Sequence, residues 1–209
     1  MGAQLEAVAF TGNALAPFFL EDPKLGTAAD SFRAFASLDA DAAALEWPFG
    51  DSGEVARGLF DMVTGLNDGV SDALAWEFRR LFVGPGPKAA PPWGSVYTDH
   101  DGVMFGESAL ALGAWMRANG ITRMAPDGSP DDHIGLVLSL MSWIALNKPA
   151  LLDEFLGDHV LTWSSHFLEK LEREAQHSFY RGLAVLTRAS LEGIQSERDI
   201  RVVYPRYFR

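Results

Sequence analysis

The sequence contains no cysteine among its 209 residues. This absence excludes a disulfide framework, a zinc or iron–sulfur site with cysteine ligands, and a cysteine nucleophile. Disulfides persist mainly in oxidising compartments, so a chain without cysteine is compatible with a reducing cytoplasm.

Long apolar runs are missing as well. A transmembrane helix needs roughly 20 consecutive apolar residues, and the longest candidate, Ile134 to Leu146, is interrupted by Ser139 and Ser142. A secretory signal would begin with basic residues, whereas the first charged side chain here is Glu6. We therefore expect a cytoplasmic protein without membrane insertion.

Positive charge is scarce. The 17 lysines and arginines stand against 28 aspartates and glutamates, which gives a formal net charge of −11. Such a surface repels phosphate backbones and anionic lipids, so a nucleic-acid-binding function is excluded. Hydrophobic residues make up 48% and charged residues 22% of the chain, which is typical of a globular protein.

Apolar residues recur at three- and four-residue spacing, and strict alternation is rare, which predicts helices rather than strands. We expect a single all-α domain of about eight helices over residues 1–209. The predicted helical segments are Leu5–Phe18, Ser31–Leu38, Val55–Leu66, Ser71–Val83, Glu107–Asn119, Pro130–Leu146, Leu151–Gln176 and Ser178–Gln195. Residues 84–98 are predicted as loop because they hold four prolines and three glycines. Residues 125–129 are predicted as a turn, and residues 197–209 as an irregular tail.

Motifs for nucleotide, metal and serine chemistry are absent or fail in context. Gly84–Ala89 matches a relaxed dinucleotide-binding pattern, but it follows a predicted helix rather than a strand and contains prolines without amide hydrogens. The five histidines form no H-E-x-x-H motif and no pair four residues apart. Ser95 and Ser164 lack a G-x-S-x-G setting. We therefore expect no metal, no cofactor and no catalytic activity.

A proline- and tryptophan-rich segment, Pro91–Tyr97, lies within a stretch that contains acids and no bases, and a second such stretch follows it in the sequence. Residues 89–116 contain Asp99, Asp101 and Glu107, and residues 124–147 contain Asp127, Asp131 and Asp132. Trp93 is expected either to fill the core or to form the lip of a binding site. Acids beside an exposed aromatic loop would suit a ligand that carries its own positive charge.

Three segments resemble hallmark motifs of the TorD/DmsD family of redox-enzyme maturation chaperones, with the branch that matures dimethyl sulfoxide reductase as the nearest likeness. They are Leu81–Pro85, Pro91–Tyr97 and Pro130–His133, and the likeness continues in Val103–Ser108, Ala114–Arg117, Trp163–Leu168 and Pro205–Arg209. The resemblance implies a TorD-like, all-helical cytoplasmic chaperone without catalytic turnover. It implies a partner as well: the twin-arginine signal peptide of a molybdopterin-dependent reductase catalytic subunit, held back from export until its cofactor is inserted. The translocase and the cofactor-biosynthesis proteins are further candidate partners.

The residues that the family uses for signal-peptide binding correspond here to Leu81, Phe82, Pro92, Trp93, Asp132 and His133, with Phe78 in place of a tryptophan. A twin-arginine leader presents two guanidiniums ahead of an apolar stretch. We expect Asp132 to pair with these arginines, with Asp131 and Asp99 as weaker candidates. His133 is expected either to touch the peptide or to hold the Pro-Pro-Trp loop by a hydrogen bond, and Leu81 and Phe82 either to touch it or to support the groove from the core.

Two other functions compete with the chaperone. One is a small helical hydrolase that uses Asp132 and His133, which would require a closed pocket with a nucleophile within about 3 Å of the histidine. The other is a helical interaction module unrelated to export.

Overall fold

A computed structural model describes residues 2–25, 28–84, 86, 88–102, 104–122 and 130–208. Within these ranges the only strand-like pairing is an isolated antiparallel bridge between Trp93 and His133, so the predicted all-α fold is confirmed. The α-helices are α1 Gly2–Leu15, α2 Pro17–Leu20, α3 Ala29–Ala36, α4 Ala40–Glu46, α5 Ser52–Gly65, α6 Asp72–Phe78, α7 Ser95–Thr98, α8 Glu107–Ala118, α9 Ile134–Asn147, α10 Leu152–Phe155, α11 Ser164–Glu174 and α12 Ser178–Glu197. They exceed the expected eight because several are single turns.

The proline and capping residues determine several boundaries in the first half of the chain. The first predicted helix ends at Leu15, and Pro17 occupies the first position of α2, where its missing N–H is not needed. Helix α4 was not predicted; it begins after Asp39, whose carboxylate accepts hydrogen bonds from the amides of Asp41 and Ala42. The helix predicted to begin at Ser71 begins at Asp72, with Ser71 as its N-cap.

Two α-helices continue as π-helical turns, Arg79–Val83 after α6 and Leu156–Val160 after α10. The second divides the predicted Leu151–Gln176 helix, which also begins with a 3₁₀ turn. Near the first π-turn, the buried Glu77 accepts hydrogen bonds from Arg80 Nε and the Gln176 amide, both at 2.6 Å. This carboxylate ties the π-turn to the segment that leads into α12.

The helix predicted to begin at Pro130 begins instead at Ile134. His133 is its N-cap, with Nδ1 accepting a hydrogen bond from the Gly135 amide at 3.1 Å. The expectation that Asp131 and Asp132 lie in the first turn is therefore wrong. The bridge to Trp93 keeps His133 extended, at φ −69° and ψ 133°, and so delays the start of the helix.

The two most extensive helix pairs join distant parts of the chain, α1 with α9 and α5 with α12. Close approach of α5 and α12 depends on glycine, because a Cβ on Gly182 would lie 2.4 Å from the carbonyl oxygen of Gly58. Buried apolar side chains from Val8 to Ile200 form one cluster. The single domain over residues 1–209 stays a prediction. Among the described helices, none is long and apolar enough to cross a membrane.

Candidate functional site

Backbone hydrogen bonds join the Pro-Pro-Trp segment to the segment that precedes α9. The Ile134 amide donates to the Pro92 carbonyl at 2.8 Å, and the Gly94 amide donates to the Asp132 carbonyl at 3.2 Å. These bonds flank the bridge between Trp93 and His133. Two motifs that lie about 40 residues apart in the sequence thus form one structural unit.

The carboxyl group of Asp132 also connects the two segments of this unit. It is 2% exposed, and Oδ2 accepts a hydrogen bond from the Ser95 amide at 2.6 Å. Among the described residues, Oδ1 has no hydrogen-bond partner. Burial raises the pKa of Asp132, and the nearby charge of Asp99 raises it further. The geometry makes Asp132 an anchor for the start of α7.

The imidazole of His133 lies against Trp93, with the ring centroids 5.5 Å apart and the planes at 78°. Burial lowers the pKa of His133 to about 4, so at neutral pH the ring is uncharged and Nδ1 can accept the capping hydrogen bond. The side chains of Asp132 and His133 each accept a hydrogen bond from a backbone amide. Neither arrangement is that of an acid–base pair acting on a hydroxyl nucleophile.

Trp93 forms one wall of an open, mainly apolar groove of about 430 Å³. Val96, Met104 and Phe105 line it as well, and Met104 and Phe105 are 47% and 49% exposed. At one end Lys88 Nζ lies 5.9 Å from the centre of the Trp93 ring. Trp93 is partly exposed, so of the two expectations for this residue the geometry favours a binding lip.

Phe105 separates the groove from a second pocket of about 280 Å³. Leu110, Arg117 and Asp131 contribute to the second pocket, which is therefore more polar than the first. Phe105 has a backbone φ of 66°, a conformation that is rare for residues other than glycine. The structure thus places an apolar groove next to a pocket that contains a carboxylate.

Four of the predicted site residues are buried behind this surface. Phe78, Leu81 and Phe82 are 2%, 0% and 5% exposed, and Pro92 is also buried. The ring of Phe82 lies 5.5 Å from that of Phe78 and 5.7 Å from that of Tyr180. These side chains are packed in the core, and their role towards a peptide stays a prediction.

Asp99 lies near Asp132 rather than on the open groove. Burial raises its pKa, and the charges of Glu107 and Asp101 act in the same direction. A Cβ at Gly106 would overlap the Asp99 carboxylate, so the carboxylate packs on the backbone just before α8. Asp127, the remaining acid of interest in the base-free stretches, lies outside the described residues, as does the predicted turn at 125–129.

Three contacts that hold the loop were missed at the sequence level. Tyr97, fully buried, donates from its hydroxyl to the Pro91 carbonyl at 2.8 Å. Gly94 packs on the indole of Trp163, which a Cβ would approach to 2.6 Å. The amide of Phe208, in the irregular tail, donates to the Tyr97 carbonyl at 3.0 Å. Each contact joins residues far apart in sequence, or depends on a side-chain direction that periodicity does not reveal.

Comparison with known proteins gives consistent matches. The family model described as nitrate reductase delta subunit matches residues 50–169. The "Tat proofreading chaperone DmsD" of Salmonella paratyphi A is 33% identical over 99% of this chain and 98% of its own. The "Probable Tat proofreading chaperone DmsD" of Haemophilus influenzae is 40% identical over 69% of this chain and 71% of its own. A "Chaperone protein TorD" of a Psychrobacter species is 30% identical over 50% of each chain.

These names confirm the resemblance drawn from the motifs and the prediction of a chaperone rather than an enzyme. They give the hydrolase alternative no support. Among the described residues, no group of three or more histidines and carboxylates could hold a metal ion.

Proposed function

The chain belongs to the nitrate reductase delta subunit family and, within it, to the Tat proofreading chaperones of the DmsD type, and from that premise we propose that it binds a twin-arginine signal peptide at the Trp93 groove. The observation that supports this proposal is the hydrogen-bonded pairing of Pro91–Tyr97 with Asp132–Ile134. It presents Trp93 on an open apolar groove and holds the loop in one conformation. A rigid aromatic wall binds an apolar peptide segment at low entropic cost.

The predicted site residues then fall into two groups. Trp93 contacts the apolar part of the leader, with His133 beside it, and Asp131, which lines the second pocket together with Arg117, is the candidate carboxylate for an arginine of the leader. Phe78, Leu81, Phe82, Pro92, Asp99 and Asp132 are positioning residues that keep the loop and the groove in shape.

The expected affinity follows from these contacts. A charge-assisted hydrogen bond contributes about 1.5–3 kcal/mol, and burial of a leucine-sized side chain contributes about 1.5–3 kcal/mol. Two or three contacts of each kind, less the cost of ordering a flexible peptide, correspond to a dissociation constant in about the micromolar range. Such an affinity allows the client to be released.

Calorimetric titration with a synthetic twin-arginine leader tests the proposal. We expect binding of the Arg-Arg leader, weaker binding of a Lys-Lys version, and a loss of about tenfold or more for Trp93→Ala. Trp76 is 57% exposed on α6, so Trp76→Ala removes a solvent-facing indole elsewhere and is expected to bind normally. Equal, negligible heats for both leaders would contradict the proposal.

The wider role carried by the resemblance belongs to the same proposal. The client is the catalytic subunit of a molybdopterin-dependent reductase, the site of action is the cytoplasm, and binding delays export until the cofactor is inserted. The translocase and the cofactor-biosynthesis proteins are candidate later partners. Purification of the chaperone with its bound client, followed by sequencing of the client's N-terminus, would identify the leader. A client without paired arginines would contradict this role.

A further inference from the structure

Another apolar groove, distinct from the Trp93 groove and from the pocket beside Phe105, lies between helices α1, α3 and α4 and has a volume of about 280 Å³. Phe10 and Trp47 form one side, and Phe35 and Leu38 contribute the other apolar surface. Phe10 is 54% exposed and Leu38 is 36% exposed. None of the residues that line this groove belongs to the Trp93 site.

The wall of this groove is rigid. Trp47 donates from Nε1 to Ser190 Oγ at 2.9 Å, and the Ser190 hydroxyl donates to the Leu186 carbonyl at 2.6 Å on α12. The ring of Phe10 packs edge-on against Trp47, with centroids 5.6 Å apart. An aromatic wall that is fixed before binding loses little entropy when a partner arrives.

Helix α4 is exposed in an unusual way beside the groove. It contains no fully buried residue, and Leu45 on it is 89% exposed. Its Ala43 and Glu46 face the groove. Phe10 and Leu38, both exposed apolar side chains that line one depression, make a surface of the kind that marks an interaction site.

The charges on these three helices indicate what kind of partner fits. Helices α1, α3 and α4 carry Glu6, Asp30, Asp41 and Glu46. Their only basic residue is Arg33, and it forms an ion pair with Asp30. Glu46 lines the groove, and Glu6 lies one helical turn before Phe10. Glu46 on the groove and Glu6 beside it therefore form an acidic rim, and the one basic side chain of these helices pairs with Asp30 instead.

We propose that the groove between α1, α3 and α4 docks a short cationic amphipathic helix of a second protein, separately from the signal peptide. The helix would place apolar side chains spaced three and four residues apart against Phe10 and Trp47, and lysines or arginines against the acidic rim. A second copy of this chain fits poorly, because its net charge of −11 would be repelled by the same rim. The proposal does not depend on the signal-peptide site.

The probe is a fluorescein-labelled synthetic peptide of about 15 residues, with leucines on one helical face and lysines on the other. Fluorescence anisotropy at physiological ionic strength measures its binding to the full chain. We expect saturable binding that weakens about tenfold with Leu38→Ser, because Leu38 lines the groove, is 36% exposed and is not part of the buried core, so this variant removes apolar contact area without disturbing the core. Glu46→Lys should weaken binding further, and a version of the peptide with glutamate in place of lysine should not bind.

Matched controls separate this groove from general attraction between opposite charges. Val203 is an exposed apolar residue that does not line the groove, so Val203→Ser is expected to bind the probe like the wild type. Asp68→Lys makes the same charge change as Glu46→Lys at an exposed position outside the groove, and it should weaken binding much less. Equal losses for Glu46→Lys and Asp68→Lys, or no loss for Leu38→Ser, would overturn the proposal.

Two further outcomes would assign the groove to another occupant and so also overturn the proposal. Displacement of the probe by the twin-arginine leader would make the groove part of the signal-peptide site. Sedimentation of the wild type as a dimer and of Leu38→Ser as a monomer would show that a second copy covers it. Trp93→Ala should lose the leader and keep the probe, so the two sites can fail independently.

Discussion

Replacement of Asp132 distinguishes an anchoring role from direct contact with the leader. The Asp132→Ala variant removes the acceptor of the buried Ser95 amide, whereas Asp132→Asn keeps an oxygen acceptor and removes the charge. A hydrogen bond to a charged group is worth about 1.5–3 kcal/mol. Because Oδ1 is buried without a partner, part of that loss is offset, and we expect Asp132→Ala to lower the free energy of unfolding by about 2 kcal/mol.

The expected cost of Asp132→Asn is within about 1 kcal/mol, because a neutral acceptor retains most of the bond to Ser95. For a protein of this size 1 kcal/mol shifts the melting temperature by about 2–4 °C, so Asp132→Ala should melt about 4–8 °C below the wild type. Urea unfolding followed by circular dichroism gives the free energies. Calorimetric titration of the same samples with the leader gives the affinities.

An anchoring role predicts that stability and leader affinity fall together in Asp132→Ala and that both are largely retained in Asp132→Asn. A stable Asp132→Asn protein that loses the leader about tenfold or more would show that the carboxylate pairs with the leader's arginines instead. Equal destabilisation by the alanine and asparagine variants would refute the importance of the Ser95 hydrogen bond.

Three further variants test other parts of the structure. His133→Asn keeps an N-cap acceptor and removes a titrating group whose pKa is near 6.5 in the unfolded state and about 4 in the folded state. Because the unfolded wild type takes up a proton that the folded state does not, the free energy of unfolding of the wild type should fall by about 2 kcal/mol more than that of the variant between pH 7 and 5. An equal change in the unfolding free energies of the two proteins, measured in urea at both pH values, would contradict this. Gly94→Ala forces a Cβ to within 2.6 Å of the Trp163 indole, so a loss of about 1–3 kcal/mol in thermal unfolding is expected. Glu77→Gln keeps an oxygen acceptor but removes the buried charge that pairs with Arg80 and should cost about 2 kcal/mol while leader affinity stays unchanged. A matching loss of affinity would place Glu77 in the binding site.

Much of the helical architecture could be predicted from local patterns. Ser71 caps α6 and Gly120 follows α8, which ends within one residue of the predicted position. Helix α4 was missed because its sequence is mostly alanine and acids, with little apolar periodicity. The π-turn at Arg79–Val83 was missed because an extra residue in one turn leaves no distinct pattern in the sequence.

The sequence predicted a set of site residues but not their arrangement. The motifs pointed to Trp93, Asp132 and His133, and the structure brings these three together. That Asp132 is buried against the Ser95 amide depends on a pairing across 37 residues, which no local rule contains. The exposure of Met104 and Phe105 likewise depends on how the loop before α8 lies on Trp93.

The pairing of α1 with α9 and of α5 with α12 has a consequence for how this chaperone itself matures. Helices α5 and α12 are more than 100 residues apart in sequence, so α5 cannot be covered until α12 has left the ribosome. Non-local pairing of this kind slows folding relative to bundles of sequential helices. During synthesis the apolar face of α5, with Val55, Leu59 and Met62, stays open to water, and newly made chains should be most prone to aggregation in that interval.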